Sequence, residues 1–437
     1  MGLRATRASA RGAALALAGS LLAGCVSHWG AAAPPGDGLD VDALLRGHRE
    51  LFGDLLESAD EHRIKVEVAL VVDGPNGRTL ARGGFDRGPE YFYPASAVKT
   101  CAVIAASQLL AELDAATDAD VGLDTPLRFE PLFPGEDAEE HDPSHRANGL
   151  ITAGHELRKV MLVSDNAAYN RLYELAGPEF IAASMAAAGL DRARIIHRLG
   201  EFHSAEEQLM TPRVVLRPPG GDPITIEERR WSTEGNGGTS GLVLGVAHTS
   251  GDAVVDGPMS FERKNFMALR DLLDMNVMLL DPDVHVPGRA DGSRIDLPEG
   301  DRARIAEAMA GTPGASDDPA YDRAAYPDDY SKFLLPGLVR VDPERGWIVR
   351  DKVGRAYGFS VTNGQIVDPT TGATLYVAAT IYTNANGVVG DGVYEYGRAD
   401  RFFADLGEVL GREVFGSLDR GQAPSVSARP RGRQAAR

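Results

Sequence analysis

Leu44, Leu45, Leu51, Leu55 and Leu56 recur at the three-to-four spacing of one helix face, which predicts an amphipathic helix over residues 41–59. Ile64, Val66, Val68 and Leu70 then alternate with other residues. Asp73-Gly74-Pro75-Asn76-Gly77 supplies turn chemistry before residues 78–83, so the pair reads as a β-hairpin. Between residues 96 and 113, Val98, Cys101, Ala102, Ala105 and Leu109 keep helical spacing while Val103, Ile104 and Leu110 make the opposite side apolar too. Such a helix belongs in the protein centre. Helices over 155–163 and 167–175 flank the triplet Ser164-Asp165-Asn166. Strands are expected over 347–353, 357–361 and 374–383, with Asn363-Gly364 and Asp368-Pro369-Thr370 as turns, and a last helix over 398–410. Strands at both chain ends around a helical middle predict one antiparallel sheet assembled from the two ends, with helices packed against it.

Residues 213–335 fit this plan least well, being broken by Gly, Pro and charge. The segment holds one expected helix, 261–279, and short strands near 241–246 and 253–255, and reads as an insertion in a domain covering 41–420. The tail 421–437 carries Arg429, Arg431, Arg433 and Arg437 and is expected to be disordered.

The first 24 residues have the layout of an export signal: Arg4, Arg7 and Arg11, an apolar stretch from Ala13 to Leu22, then small residues before Cys25. Ten apolar residues are too few to cross a hydrocarbon layer of roughly 30 Å as a helix. Leu22-Ala23-Gly24-Cys25 resembles a bacterial lipobox, which implies cleavage before Cys25 and a membrane-anchoring lipid on its sulfur. The expected location is the cell envelope, with residues 25–40 as a linker to a soluble body. With Cys25 lipidated, Cys101 has no partner for an intrachain disulfide and reads as a small buried hydrophobe.

The chain of 437 residues is 43% hydrophobic and 25% charged, values that suit a globular protein rather than a chain disordered along most of its length. Its net charge of −18 argues against a nucleic-acid partner, because phosphate binding needs clustered Lys and Arg.

Ser96 and Lys99 stand three residues apart at the start of the buried helix and share one face. A Ser hydroxyl is a weak nucleophile until a base removes its proton, and a Lys in a dry site has its pKa lowered enough to serve. The helix start adds backbone N–H groups beside a developing oxyanion. Ser164-Asp165-Asn166 follows at a helix-to-helix junction, and Lys352-Val353-Gly354 lies in an expected strand near the other chain end.

These three elements, in this order, resemble the motif set of class A β-lactamases and penicillin-binding proteins. The resemblance implies a β-lactamase/transpeptidase-like α/β (α+β) fold, with a five-stranded antiparallel sheet and a helical subdomain. It implies Ser96 as the acylated nucleophile, Lys99 as its base or proton relay, and Ser164 as a shuttle toward the leaving nitrogen. Asn166 would hold substrate or Lys99, and Lys352 would attract a substrate carboxylate. The N–H groups of Ser96 and Arg355, beside Gly354, would form the oxyanion hole. The expected partner is a small β-lactam, peptide or ester substrate, and the chemistry requires no metal or organic cofactor.

Two departures stand out. Val353 replaces the Thr of the usual third motif and so offers no hydroxyl to a substrate carboxylate. The Glu-x-x-Leu-Asn pattern that activates the hydrolytic water is absent, and Glu201 becomes the first candidate for that base, with Glu206 and Glu207 behind it. Three readings follow: a class A-like β-lactamase, a D-alanyl-D-alanine peptidase or esterase of the same fold, and a non-catalytic envelope receptor for wall fragments or β-lactams. His141 and His145 have a helical ligand spacing, but Pro143 lies between them and no third ligand is evident, so a solvated loop is favoured.

Overall fold

The computed structural model describes residues 38–117, 119–233, 235–290 and 292–419. The export signal, Cys25, most of the linker and the basic tail lie outside the described residues.

Alternating apolar residues and a two-residue turn at Pro75-Asn76 form the expected hairpin, β1 (Lys65–Gly74) with β2 (Gly77–Asp86). The far end of the chain supplies β3 (Ile348–Asp351), β4 (Gly354–Ala356), β5 (Phe359–Val367) and β6 (Thr374–Tyr382). All pairings are antiparallel and the order is β3-β5-β6-β1-β2, with β4 also on β5. Asp351 faces Gly364 and Gly354 faces Val361, so the register passes unbroken from β3 to β4. The two form one edge row of a sheet five rows wide. Lys352 and Val353 occupy the step between them.

Asn363-Gly364 is no turn; it sits in the middle of β5. The Asn363 amide donates to Leu272 O at 2.9 Å and its own carbonyl accepts from Asn276, which docks the strand on a helix. A Cβ at Gly364 would lie 2.9 Å from Arg350 O, so glycine here serves close strand approach. The chain reverses instead at Asp368-Pro369-Thr370, where Gly372 N–H reaches Asp368 O.

The sheet divides two cores. On one face Val66, Val68, Leu375 and Val377 meet α1 (Val41–Gly47), α2 (Arg49–Glu57) and a C-terminal helix. The expected single helix over 41–59 is interrupted at His48, after the poor helix former Gly47. On the other face stand α3 (Lys99–Thr117), α4 (Ala153–Val163), α5 (Asn166–Ala176) and α6 (Pro178–Ala187). The run Ala95–Thr117 is long and apolar enough to cross a membrane, yet it packs against α5 and α6 in the core.

Residues 213–335 contribute to this same core through α7 (Leu269–Leu280) and α8 (Glu299–Ala310). The α7 helix starts eight residues later than its apolar pattern predicts, because residues 261–268 run as an extended and turning segment. The expected short strands occur at Val243–Leu244 and Ala253–Asp256. Two more helices, α9 (Leu335–Val341) and α10 (Tyr396–Leu410), pack together over the first core, where Phe402 meets Phe52 edge-on at 6.1 Å. Such a pair adds about 0.5–1.5 kcal/mol beyond the area it buries.

Candidate active site

Ser96 lies in a single 3-10 turn, Ala95–Val98, that leads directly into α3. Ala95 holds φ at +48°, a left-handed value that costs energy in a non-glycine residue and swings Ser96 to the cleft wall. The edge row of the sheet presses against this turn. A Cβ on Gly354 would fall 2.3 Å from Pro94 O and 2.8 Å from the nitrogens of Ser96 and Ala97, so only glycine permits the contact.

Lys352 N–H donates to Asn363 O at 3.1 Å, and antiparallel pairs alternate in the direction of their N–H groups. Three residues on, Arg355 N–H therefore points out from the sheet edge, toward the Ser96 turn. The Arg355 guanidinium reaches Asp400 and lies over the Phe333 and Tyr396 rings.

The Ser164 triplet owes its geometry to two caps. Ser164 ends α4 in the left-handed region at φ 60°, Asp165 caps α5 by accepting from Ala168 N–H at 2.9 Å, and Asn166 is the first residue of that helix. The kink turns all three toward Lys99, whose Nζ donates to Ser164 O at 2.5 Å, Asp165 O at 3.1 Å and Asn166 Oδ1 at 2.7 Å. These acceptors favour an ammonium. Complete burial opposes it, as does the neighbouring Lys352, and the Lys99 pKa is held well below its ordinary value.

Lys352 is equally buried and donates to Ser164 Oγ and Val353 O, both at 2.8 Å. Burial lowers its pKa to about 7; Asp351 opposes the shift and Lys332 adds to it. Lys99 Nζ stands 3.5 Å from the same Ser164 oxygen. With lysines on its lone pairs, the Ser164 hydroxyl is left to donate elsewhere, and the open side is the cleft.

Ser96, Ser164, Asn166, Val353, Gly354 and Arg355 line one cleft of about 470 Å³. Ser96, Asn166 and Arg355 also line a second cavity of about 260 Å³, and Glu201 belongs to that one. Glu201 Oε1 accepts from Asn170 Nδ2 at 2.6 Å and Oε2 lies 3.4 Å from His203. Gly200 keeps φ at +77°, and a Cβ there would be 2.7 Å from the Asn166 amide, so this loop packs tightly on the triplet. Glu207 is spent on Ser204 N–H at 2.8 Å, and Glu206 lines neither cavity.

Several cleft residues carry no motif that betrays them. Asp329, Tyr330, Lys332 and Phe333 come from the segment 213–335, and Asp400 from α10. Lys264, His197 and Tyr357 line the second cavity. The approach of these segments to Ser96 is a product of tertiary folding alone. His145 departs from the expected solvated loop: its ring stacks on His155 at 4.3 Å, whereas His141 is exposed.

Residues 85–217 match the model of the beta-lactamase enzyme family. That stretch contains Ser96, Lys99, the Ser164 triplet and Glu201, while Lys352 lies beyond it. With the antiparallel sheet built from both chain ends and the helical subdomain, this is a β-lactamase/transpeptidase-like α+β fold. Among solved structures, the beta-lactamase from Desulfarculus baarsii DSM 2075 is similar at 16% identity, with 86% of this chain and 99% of that one covered and a TM-score of 0.45. The beta-lactamase from Streptosporangium roseum is similar at 17% identity, with 85% and 99% covered and a TM-score of 0.44. No curated protein matches the sequence.

Proposed function

We propose that the protein is a serine hydrolase of the class A β-lactamase kind that works through an acyl-enzyme on Ser96. The observation that carries this reading is the convergence of Lys99 and Lys352 on the Ser164 hydroxyl, behind the cleft that Ser96 lines. Lys99, biased toward its neutral form, takes the Ser96 proton, and Ser96 Oγ bonds to the substrate carbonyl carbon. Negative charge gathering on the carbonyl oxygen meets the N–H groups of Ser96 and Arg355. Ser164 passes a proton to the leaving nitrogen or oxygen and is resupplied by its lysine neighbours. Water then breaks the ester, with Glu201 as its base, and Asn166 holds both Lys99 and the substrate.

A second reading, a D-alanyl-D-alanine peptidase or esterase, draws support from two features. Val353 offers no hydroxyl in the cleft, and one Glu201 oxygen is already committed to Asn170. Slow loss of the acyl group also suits a receptor that captures wall fragments or β-lactams without turnover. We further propose that the protein is exported and anchored in the cell envelope through a lipid on Cys25, on the strength of the basic, apolar and small-residue order before it.

An intact-mass time course with a simple penicillin separates the readings, run on the wild type beside Ser96→Ala. Wild type is expected to gain the mass of the drug and lose it within seconds, while Ser96→Ala gains nothing. A persistent adduct selects the peptidase or receptor. An adduct of equal yield on Ser96→Ala overturns the assignment of the nucleophile.

A further inference from the structure

Away from the cleft, the turn before α4, the first turn of α4 and the loop 316–319 bring together three atoms that all offer lone pairs: His145 Nε2, His155 Nδ1 and a carboxylate oxygen of Asp318. The ligand atoms of these three residues lie within 4.8 Å of one another. Hydrogen bonding fixes which nitrogen of each ring carries its proton. His145 Nδ1 stands 2.7 Å from Leu150 O, and a carbonyl only accepts, so Nδ1 donates and Nε2 is left as a lone pair.

For His155 the chain is one step longer. Asp142, held ionised by Lys159 at 2.6 Å, accepts the Ser144 hydroxyl at 2.7 Å. The Ser144 oxygen must then accept from His155 Nε2 at 2.9 Å, which leaves Nδ1 without a proton. That bare nitrogen faces Asp318 Oδ1 at 3.5 Å, lone pair against carboxylate. Asp318 is steadied in this position by Arg146 N–H on Oδ1 at 3.0 Å and by Arg158 Nε on its backbone oxygen at 2.8 Å. Hydrogen bonds on the outer nitrogens thus fix the tautomers and leave the inner nitrogens free to ligate, the part played by the supporting shell of a metal site.

We propose that His145, His155 and Asp318 bind one divalent ion of the zinc class. Two imidazole nitrogens and one carboxylate oxygen are a donor set for zinc rather than for calcium or magnesium, which prefer all-oxygen shells. The parallel stacking of the two rings, 10° between planes, is not a ligation geometry. Half-buried His145, on its loop, must tilt its ring to aim Nε2 at the ion, whereas His155 is held in the first turn of α4. The ion would clamp the loop 316–319 to the helix that ends at Ser164. Asp329, Tyr330, Lys332 and Phe333, which line the cleft, follow that loop in the chain.

The test uses the purified protein without an affinity tag, stripped with a chelator and titrated with zinc alone. One equivalent is expected to bind by calorimetry, and a hundredfold excess over Kd raises Tm by about 3 °C. Calcium and magnesium should leave Tm unmoved. His145→Ala and Asp318→Asn, both at partly exposed positions, should keep the circular dichroism spectrum and weaken zinc binding at least about tenfold. Absence of binding by the wild type overturns the site, as does equal binding by both variants. Nitrogen-15 NMR of the stripped protein provides an independent check: a proton on His155 Nδ1 at neutral pH would show that the lone pair is already filled and would also overturn the proposal.

Discussion

Lys352 must be a cation to attract an anionic substrate, yet the fold buries it beside Lys99 and Lys332 and lowers its pKa to about 7. Below that value the amine is charged; above it the charge is lost. For a substrate bearing a carboxylate, kcat/KM should therefore fall above about pH 7, approaching tenfold per pH unit. A neutral ester processed by the same Ser96 should lack this alkaline limb, because Lys99 is needed uncharged. A bound carboxylate raises the Lys352 pKa again, so the limb in kcat moves to higher pH than the limb in kcat/KM. Parallel pH profiles for the two substrates would contradict this role. The residue type was readable in the sequence, but its altered acidity was not, since the shift arises from burial and from Lys332, a residue of a different segment that folding brings close.

Among the elements, the contact between β4 and the Ser96 turn is the one on which the candidate oxyanion hole depends. Gly354→Ala would place a methyl 2.3 Å from Pro94 O, and the strand or the turn must move. The expected result is a loss of about 1–3 kcal/mol in a urea titration and a fall of about 10²-fold in kcat/KM, since a donor displaced by an ångström is largely lost to catalysis. Gly397→Ala provides the comparison: that glycine lies in α10 with nothing within 4 Å of its new Cβ, so stability should hold or rise by up to about 1 kcal/mol. Equal behaviour of the two variants would remove Gly354 from the argument. The Lys-Val-Gly string is legible in the sequence. That its glycine serves contact with Pro94, rather than a turn, is visible only once the edge strand and the turn are together.

At the scale of the molecule, two cores share one sheet, and the described body begins at Gly38, with Leu39 N–H bonded to Arg82 O on β2. Every cleft residue lies between Ser96 and Asp400, so an anchor at Cys25 should serve location and not chemistry. Cys25→Ser is expected to move the protein from the membrane to the soluble fraction with Tm and kcat unchanged; retention in the membrane fraction would refute lipid anchoring. The sequence by itself determined the elements whose pattern is local. The β1–β2 hairpin follows from alternation and a Gly-bounded turn, the buried α3 from apolar residues on all its sides, and the α4–α5 junction from the two helical patterns that flank Ser164-Asp165-Asn166. It also carried Ser96, Lys99, Ser164, Asn166 and Lys352, because their order and spacing are local strings. Where a residue's partner is distant in the chain, local pattern was silent or misleading. Asn363-Gly364 has the composition of a turn, yet the backbone of α7 satisfies its amide within a central strand. Lys332 and Tyr330 reach the cleft from a segment without periodicity, and His145 finds His155 and Asp318 only when two loops fold onto α4. Local periodicity reports which face of an element is apolar; which buried polar groups meet across those faces is set by packing, and tertiary structure alone decided it.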